Sequence, residues 1–206
     1  MRVVALNGSF RKNGNSATML EAFLDGIRET YPNAEVERVD VYDLDYKGCR
    51  GCQGCQLKAT EDGYCIVKDG AYQILRDIKD CDLLVIASPI YYFDVSSQLR
   101  ALFERVFYPG HADHTIPVVC IYTMNQPEDV MRKRFRGHLD VFKMFLDSTF
   151  ATDTKELYSF ETLHFGNPEK YNVPEGLYEK RLKIHNEQFP KDLAMAKEAG
   201  KQMVLS

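Results

Sequence analysis

Residues 3–16 read VVALNGSFRKNGNS, a short apolar run followed by a polar loop that contains two glycines. The run Val3–Leu6 is typical of a parallel strand that is buried on both faces. Apolar residues then recur at helical spacing from Met19 to Ile27, so the loop is predicted to join a first strand to a first helix. In open α/β sheets, ligands bind at such junctions, at the carboxyl ends of the strands. This segment therefore predicts both the fold class and the position of a binding site.

The alternation of strand and helix continues along the chain. Further strand-like runs cover residues 36–41, 83–87 and 118–122, and a fifth strand is predicted near residues 156–160. Helical spacing of apolar residues marks Ile74–Ile78, Leu99–Val106 and Met131–Leu146. Residues 166–176 are predicted to form a loop, and a C-terminal helical segment at about residues 175–204 is interrupted or restarted at Pro190. The order of elements predicts a parallel, doubly wound α/β sheet.

Composition indicates one globular domain over residues 1–206. The chain has 206 residues, of which 45% are hydrophobic and 27% charged, enough to bury a core without disulfides or metals. No apolar run approaches the roughly 18 residues that a membrane-spanning helix needs. The net charge of -4 disfavours a nucleic-acid partner. Because the first residues also lack the apolar region of a signal peptide, we expect a cytoplasmic protein with no membrane partner.

The loop Asn7–Ser16, hereafter the first loop, is predicted to bind a phosphate group. The N-terminus of the following helix offers free N–H groups and a partial positive charge, and Arg11 and Lys12 add full charges. The loop is not a Walker A motif, because no Gly-Lys-Ser/Thr closes it, and it lacks the Gly-x-Gly-x-x-Gly pattern of dinucleotide sites. A capped turn with surface cations is the alternative interpretation.

Residues 88–99, hereafter the second loop, read SPIYYFDVSSQL and follow the third strand. Three adjacent aromatic residues begin at Tyr91, and they suit stacking on a planar ring. Packing into the core or into a subunit contact is the alternative. Ser96 is predicted to cap the next helix. We expect the first and second loops to lie side by side at one edge of the sheet.

Four of the six cysteines fall within a short segment: Cys49, Cys52, Cys55 and Cys65. In a reducing compartment such a cluster is more typical of metal binding or catalysis than of a disulfide framework. Four thiolates suit a [4Fe–4S] cluster or a zinc ion. Cysteines that hold no metal are the third interpretation, and the sequence leaves all three open.

The first loop, together with Ser88–Tyr92 and the pattern Ser96-x-Gln98-Leu99, resembles the NADPH-dependent FMN reductase family and, within it, the iron–sulfur flavoprotein branch. The resemblance covers about residues 1–125. It implies a flavodoxin-like three-layer sandwich with a five-stranded parallel sheet in the order 2-1-3-4-5, here followed by a C-terminal helical extension. The loop after the fourth strand departs from the family, because it reads Thr123-Met124-Asn125-Gln126-Pro127 where many relatives are rich in glycine.

The same resemblance assigns roles to individual residues. It implies that the phosphate of FMN is held by Ser9, Arg11, Asn13, Asn15 and Ser16. It implies that the isoalloxazine ring is lined by Pro89, Ile90, Tyr91, Tyr92 and Phe93. The cysteine loop, residues 46–66, resembles the cysteine motif of the iron–sulfur branch, although its last gap is longer than is usual in that branch. It implies a [4Fe–4S] cluster on Cys49, Cys52, Cys55 and Cys65.

In function, the resemblance implies an FMN-dependent NAD(P)H oxidoreductase. The flavin would accept a hydride from NAD(P)H, so no catalytic side chain is required. The electron acceptor would be a small molecule or, with a cluster, a ferredoxin-like protein. A flavodoxin-like electron carrier with no substrate of its own is the alternative, but the charges of Arg11 and Lys12 favour the reductase. The resemblance also implies a homodimer or homotetramer.

Overall fold

A computed structural model describes residues 1–57, 64–106, 115–164, 166 and 168–203 of the chain. The strands are β1 (Arg2–Asn7), β2 (Glu35–Asp40), β3 (Leu83–Pro89), β4 (Val118–Thr123) and β5 (Lys155–Ser159). The helices are α1 (Asn15–Thr30), α2 (Tyr72–Lys79), α3 (Ser97–Phe103), α4 (Glu128–Arg134), α5 (Arg136–Phe150), α6 (Leu177–Glu187) and α7 (Phe189–Lys201). Within these described ranges, no helix combines the length and the apolar character needed to cross a membrane.

The five strands pair in parallel in the order β2-β1-β3-β4-β5. This confirms the predicted doubly wound sheet and the strand order that the family resemblance implies. Asn7 pairs with Asp40 on one side and with Ala87 on the other, while Pro89 pairs with Thr123. The carboxyl ends of the strands therefore meet at one edge. The order of the strands reverses between β1 and β3, which is where such sheets bind ligands.

Each central strand packs apolar residues on both faces of the sheet. Val3 and Ala5 belong to a buried cluster with α1 and α7, whereas Val4 and Leu6 belong to the cluster on the opposite face. The cluster that contains Val4 and Leu6 also contains the buried apolar residues of α2, α3 and α5. Alternation of side chains along a strand explains this division, since successive side chains point to opposite faces. The result is a helix–sheet–helix sandwich.

The C-terminal helices complete the face on which α1 lies. The helix restarts at Phe189 after the cap residue Gln188, and Pro190 occupies the first turn of α7, as the sequence predicts. The backbones of α1 and α7 approach closely at two glycines. A Cβ on Gly26 would lie 2.0 Å from the Lys197 carbonyl oxygen, and a Cβ on Gly200 would lie 2.1 Å from the Phe23 carbonyl oxygen. The predicted end of this segment at residue 204 and parts of the predicted loop 166–176 lie outside the described residues.

The single helix predicted over Met131–Leu146 is wrong, because the chain forms two helices there. The backbone leaves the helical region at Phe135, with φ −143° and ψ 10°, between α4 and α5. The Phe135 side chain is buried, and its ring lies 5.1 Å from the ring of Phe93 in the second loop. Both helices keep their apolar residues in the core. The apolar residues therefore recur at helical spacing on both sides of Phe135, and the sequence pattern does not indicate the break between the two helices.

Candidate functional site

The first loop carries the chain from β1 to the N-terminus of α1. The Gly8 N–H donates to the Ala87 carbonyl oxygen of β3 at 2.7 Å, which fixes the start of the loop against the sheet. The Arg11 N–H donates to Ser9 Oγ at 3.1 Å. Among the residues that the structure describes, no side chain caps α1. The first N–H groups of that helix, which have no partner within the helix, therefore remain available to an anion.

A cavity of about 260 Å³, hereafter the strand-end cavity, opens where the carboxyl ends of the strands meet. It brings together six of the predicted site residues: Ser9, Arg11 and Asn15 from the first loop, and Pro89, Ile90 and Tyr91 from the second. The two loops therefore lie side by side, as the sequence predicts.

The other four predicted residues do not line this cavity. Ser16 lies behind its wall, where its Oγ is 2.7 Å from Thr123 Oγ1 in a buried hydrogen bond. Asn13 is exposed. Phe93 packs on Phe135, and Tyr92 is 97% exposed.

The second loop makes a tight turn that holds two aromatic residues in the left-handed region. Tyr91 and Asp94 exchange backbone hydrogen bonds of 2.9 and 3.1 Å. The two residues between them, Tyr92 and Phe93, have φ values of 48° and 75°, which are typical of glycine or asparagine at these positions. Arg100 of α3 fixes the end of the turn with a two-pronged ion pair to Asp94. Ser96 occupies the N-cap position of α3, as predicted, but its side chain makes no cap hydrogen bond with the described helix.

Sequence reasoning missed the far wall of the strand-end cavity. That wall contains Thr123, Met124, Asn125, Thr162 and His164, from the segments that follow β4 and β5. The carboxyl-end rule could have indicated the residues after β4, because β4 neighbours β3 in the sheet. Nothing local in the sequence marked Thr162 and His164. Thr162 is placed by hydrogen bonds to Met124, 38 positions earlier, and His164 by a hydrogen bond from Arg11, 153 positions earlier.

The charge of the first loop is distributed unevenly. Lys12 pairs with Asp43 outside the cavity, and this hydrogen bond raises the pKa of the lysine. Arg11 lines the cavity and donates to the His164 carbonyl oxygen at 2.7 Å. Within the described part of the chain, Arg11 makes no ion pair with a carboxylate. A cavity that combines this guanidinium with Ser9, Asn15 and an uncapped helix N-terminus fits a phosphate dianion.

A second cavity of about 310 Å³, hereafter the cysteine cavity, lies on the cysteine loop. Cys49, Cys52 and Cys65 line it, and Cys55 does not. A backbone hydrogen bond from Gly54, together with Arg50, lowers the pKa of Cys52, whereas burial raises the pKa of Cys55. Residues 58–63 of the loop lie outside the described residues.

The end of α3 holds both flanks of the cysteine loop. Arg105, whose side chain is 2% exposed, donates to the Lys47 carbonyl before the cysteines and to the Val67 carbonyl after them, at 2.9 and 3.2 Å. It also makes a two-pronged pair with Asp69. Glu104 accepts the Cys49 N–H at 3.1 Å. One helix end therefore fixes the loop on two sides.

The thiols do not form a ready metal site. Among the residues that the structure describes, no three His, Cys, Asp or Glu side chains are grouped so that they could hold a metal ion. All six cysteines are free thiols. The arrangement therefore does not fit a [4Fe–4S] cluster or a zinc ion as it stands.

Comparison with known proteins identifies relatives of the chain. A sequence model of the family described as NADPH-dependent FMN reductase matches residues 1–157. An iron–sulfur flavoprotein of Archaeoglobus fulgidus is 32% identical over 111 residues, which is 54% of this chain and 48% of that protein. An iron–sulfur flavoprotein of Methanocaldococcus jannaschii is 32% identical over 105 residues, 51% of each chain. The chain thus spans about half the length of these relatives.

Solved structures share the fold at low sequence identity. An azoreductase from Bacillus anthracis superposes with a TM-score of 0.72 at 14% identity, over 98% of this chain and 100% of that one. An NAD(P)H:quinone oxidoreductase from Methanothermobacter marburgensis superposes with a TM-score of 0.69 at 17% identity, over 98% of both chains. These likenesses extend through the C-terminal helices, beyond the part that the family model matches.

Proposed function

This chain belongs to the NADPH-dependent FMN reductase family, and we propose that it is an FMN-dependent NAD(P)H oxidoreductase whose cofactor binds in the strand-end cavity. The observation that carries this proposal is the position of Arg11. Its guanidinium lines the cavity beside Ser9 and Asn15, and no carboxylate of the described residues neutralises it. A phosphate ester is the ligand class that such a site favours.

The two sides of the cavity have different tasks in this proposal. Ser9, Arg11 and Asn15 bind the phosphate together with the N-terminus of α1. Pro89, Ile90 and Tyr91 lie against the ring, and the ordered turn after Tyr91 fixes their positions. The chemistry that FMN would supply when bound is the acceptance of a hydride from NAD(P)H. The role of the chain is to orient the ring and exclude water from it. The side chains of Asn13, Ser16, Tyr92 and Phe93 lie outside this cavity and are given no contact with the cofactor, whereas the backbone N–H of Ser16 belongs to the first turn of α1.

The test compares two neighbouring cations. Arg11→Gln removes the charge inside the cavity, and Lys12→Gln removes a charge that is paired with Asp43 outside it. We expect Arg11→Gln to weaken FMN binding about tenfold or more, as for loss of a charge-assisted hydrogen bond, and Lys12→Gln to change it less than threefold. Fluorescence titration of FMN measures both. Failure of the wild-type chain to bind FMN, or equal effects of the two substitutions, would contradict the proposal.

Steady-state oxidation of NADH or NADPH separates the reductase from the flavodoxin-like carrier. The reductase, loaded with FMN, oxidises one or both dinucleotides when a quinone, free flavin or metal ion is present as the acceptor. A carrier binds FMN and exchanges electrons only with a protein partner. FMN binding without any dinucleotide oxidation would favour the carrier.

A second candidate function adds an iron–sulfur cluster on Cys49, Cys52, Cys55 and Cys65 that passes electrons to a ferredoxin-like protein. Its support is the name of the relatives and the four thiols in one loop. The described thiols do not form a ready site, so the cysteine loop would have to rearrange to hold a cluster. Assays of iron, acid-labile sulfide and zinc on protein purified without oxygen test this candidate. Roughly four irons and four sulfides per chain support the cluster, zinc alone supports a zinc site, and neither metal leaves the thiols unligated.

We also propose a homodimer or homotetramer. Tyr91, Tyr92 and Phe93 are each at least 49% exposed beside the strand-end cavity, and apolar patches of this kind are typical of interfaces. Light scattering coupled to size exclusion measures the mass, and a monomer of 23.7 kDa would contradict this proposal.

The six free thiols favour a reducing compartment such as the cytoplasm.

A further inference from the structure

The side chain of Asn7, the last residue of β1, holds the start of the first loop. Asn7 is fully buried. Its Oδ1 accepts the Ser9 N–H at 3.2 Å, and its Nδ2 donates to the Ser9 carbonyl oxygen at 3.3 Å. Ser9 lines the strand-end cavity, and its Oγ accepts the N–H of Arg11. The amide of Asn7 therefore fixes the backbone that leads into Arg11.

Arg38 of β2 holds the first loop on the other side of Arg11. Its Nη2 donates to the Lys12 carbonyl oxygen at 2.8 Å, and its Nη1 donates to Glu21 Oε1 of α1 at 2.9 Å. β2 lies at one end of the sheet, next to β1. The guanidinium of Arg38 therefore connects the outermost strand to the loop and to the helix that follows the loop.

Asp40, the last residue of β2, joins these two sets of contacts. Its Oδ1 accepts a hydrogen bond from Asn7 Nδ2 at 2.7 Å and another from Arg38 Nη2 at 2.9 Å. Burial acts to raise the pKa of Asp40, but the hydrogen bonds from Asn7 and Arg38 outweigh it, and the pKa lies below its ordinary value. The carboxyl group of Asp40 is therefore ionised at neutral pH.

The ionised carboxylate of Asp40 sets the orientation of the Asn7 amide. A carboxylate only accepts hydrogen bonds, so it binds the NH₂ group of the amide and leaves the amide oxygen facing the Ser9 N–H. A reversed amide would place its oxygen against the carboxylate and its NH₂ group against the Ser9 N–H. Asp40 therefore determines whether Asn7 can hold Ser9.

We propose that Asp40 is a positioning residue for the phosphate of FMN. Through Asn7 and Arg38 it holds the main chain on both sides of Arg11, and it thereby fixes the loop whose side chains bind the phosphate. The assignment rests on the proposed function, because it needs FMN in the strand-end cavity. Asp40 is not among the residues that line this cavity in the described chain, so it acts on the cofactor only through its two partners.

The charge of Asp40 and its positioning role have opposite effects on FMN binding. A carboxylate near the site repels a phosphate dianion, so removal of the charge alone should lower the dissociation constant of FMN. Loss of the contacts that hold the loop should raise it, because the loop must then be ordered when FMN binds. The direction of the change in the dissociation constant therefore separates the two effects.

The test compares three variants. Asp40→Ala removes the charge and the acceptor, whereas Asp40→Asn removes the charge but keeps an oxygen that can accept from Asn7 and Arg38. Asp43→Ala is the matched control: its carboxylate pairs with the side chain of Lys12 in the same loop, and within the described residues it accepts no hydrogen bond from the loop backbone.

Two measurements are made on each variant. Fluorescence titration gives the dissociation constant of FMN. Hydrogen exchange, followed by mass spectrometry on the chain without FMN, reports how often the backbone of the first loop opens. Circular dichroism verifies that each variant is folded.

We expect Asp40→Ala to raise the dissociation constant of FMN about tenfold, as for one lost hydrogen bond to a charged group, and to speed hydrogen exchange in the first loop. Asp40→Asn should raise the dissociation constant by less, because an amide oxygen is a weaker acceptor than a carboxylate. It tests the direction of the change by itself, even if Asp40→Ala does not fold. Asp43→Ala should change the dissociation constant less than threefold and leave exchange in the first loop as it is in the wild type.

Three results would overturn the assignment. Unchanged or tighter FMN binding in the Asp40 variants would show that the loop does not need this support. An equal loss in Asp40→Ala and Asp43→Ala would assign the effect to the charges around the loop. Faster exchange throughout the sheet, and not chiefly in the first loop, would give Asp40 only a general structural role. Wild-type protein that binds no FMN would instead reject the proposed function itself, and this outcome is recognised without any variant.

Discussion

Tyr92 occupies a backbone conformation that its side chain does not favour. Its φ is 48° and its side chain is 97% exposed, so no burial within the chain offsets the steric cost of the left-handed region, roughly 1 kcal/mol for a residue with a Cβ. Phe93, which follows it in the turn, gains a contact with Phe135. Strain of this kind persists where the surroundings determine the backbone and is typical of functional loops.

Tyr92→Asn should therefore stabilise the chain. Asparagine tolerates the left-handed region and suits the first central position of a type I′ turn. We expect the free energy of unfolding to rise by about 0.5–1 kcal/mol, measured by urea denaturation. Tyr92→Phe keeps the same backbone cost and should leave the free energy unchanged. A lower free energy in Tyr92→Asn would show that the exposed ring makes a stabilising contact, for instance with a second copy of the chain.

Asp69 gives the chain a dependence on acid pH. Its hydrogen bonds with Arg105 lower the pKa of the carboxyl group. A depressed folded-state pKa contributes stability that is present above the ordinary Asp pKa of about 3.9 and is lost as the pH falls through the folded-state value. The Asp69–Arg105 pair should therefore stabilise the cysteine loop at neutral pH and cease to do so in strong acid.

Asp69→Asn should lower the free energy of unfolding at pH 7 by about 3 kcal/mol, because it leaves the buried Arg105 without its counter-charge. The difference from the wild type should shrink as the pH falls below about 4, as urea denaturation over a pH series would measure. A difference that stays constant from pH 7 to pH 3 would mean that the ion pair is not its cause.

At the scale of elements, the packing of α1 against α7 depends on the absence of two side chains. The Cβ that alanine would add at Gly26 or Gly200 meets backbone atoms at 2.0 and 2.1 Å, which no side-chain rotation can relieve. Either substitution must therefore move one helix away from the other. Gly137 in α5 is different, since a Cβ there meets no atom of the described chain within 4 Å.

Gly200→Ala and Gly26→Ala should each lower the free energy of unfolding by about 1–3 kcal/mol, the usual cost of overpacking. Gly137→Ala should raise it by about 0.5–1 kcal/mol, because alanine is the better helix former. Thermal melts of the three variants beside the wild type measure this. If all three variants changed in the same direction, close approach of the helices would not be the cause.

At the scale of the whole molecule, burial explains which features were predictable. The strands β1, β3 and β4 are covered on both faces, so they appear in the sequence as continuous apolar runs. Six of the ten predicted cofactor residues meet in one cavity because they follow neighbouring parallel strands. The segment 161–164 after β5 was not predictable, since hydrogen bonds to Met124, Arg11 and Asn15 place it, and contacts across 38 to 153 residues leave no local pattern. The break at Phe135 was hidden because both helices keep their apolar faces.

The chain is expected to unfold as one unit, as proposed from its length. Buried residues of α7, Phe189 and Ala196 among them, belong to the same core cluster as Val3 and Val85 of the sheet. Circular dichroism in the far ultraviolet and tyrosine fluorescence should therefore report one coincident transition with temperature. An earlier loss of helical signal, before the fluorescence changes, would indicate that the C-terminal helices form a separate unit.

The close contact of α1 with α7 also affects how the chain folds as it leaves the ribosome. Phe189 follows Thr30 by 159 positions, which at roughly 5–20 residues per second is a delay of roughly 8–30 s. During that interval the apolar face of α1 has no helix to cover it. A nascent chain in this state is a natural client for a chaperone, and slow codons between β5 and α7 would prolong its exposure. The rate of synthesis is therefore expected to influence the yield of folded protein.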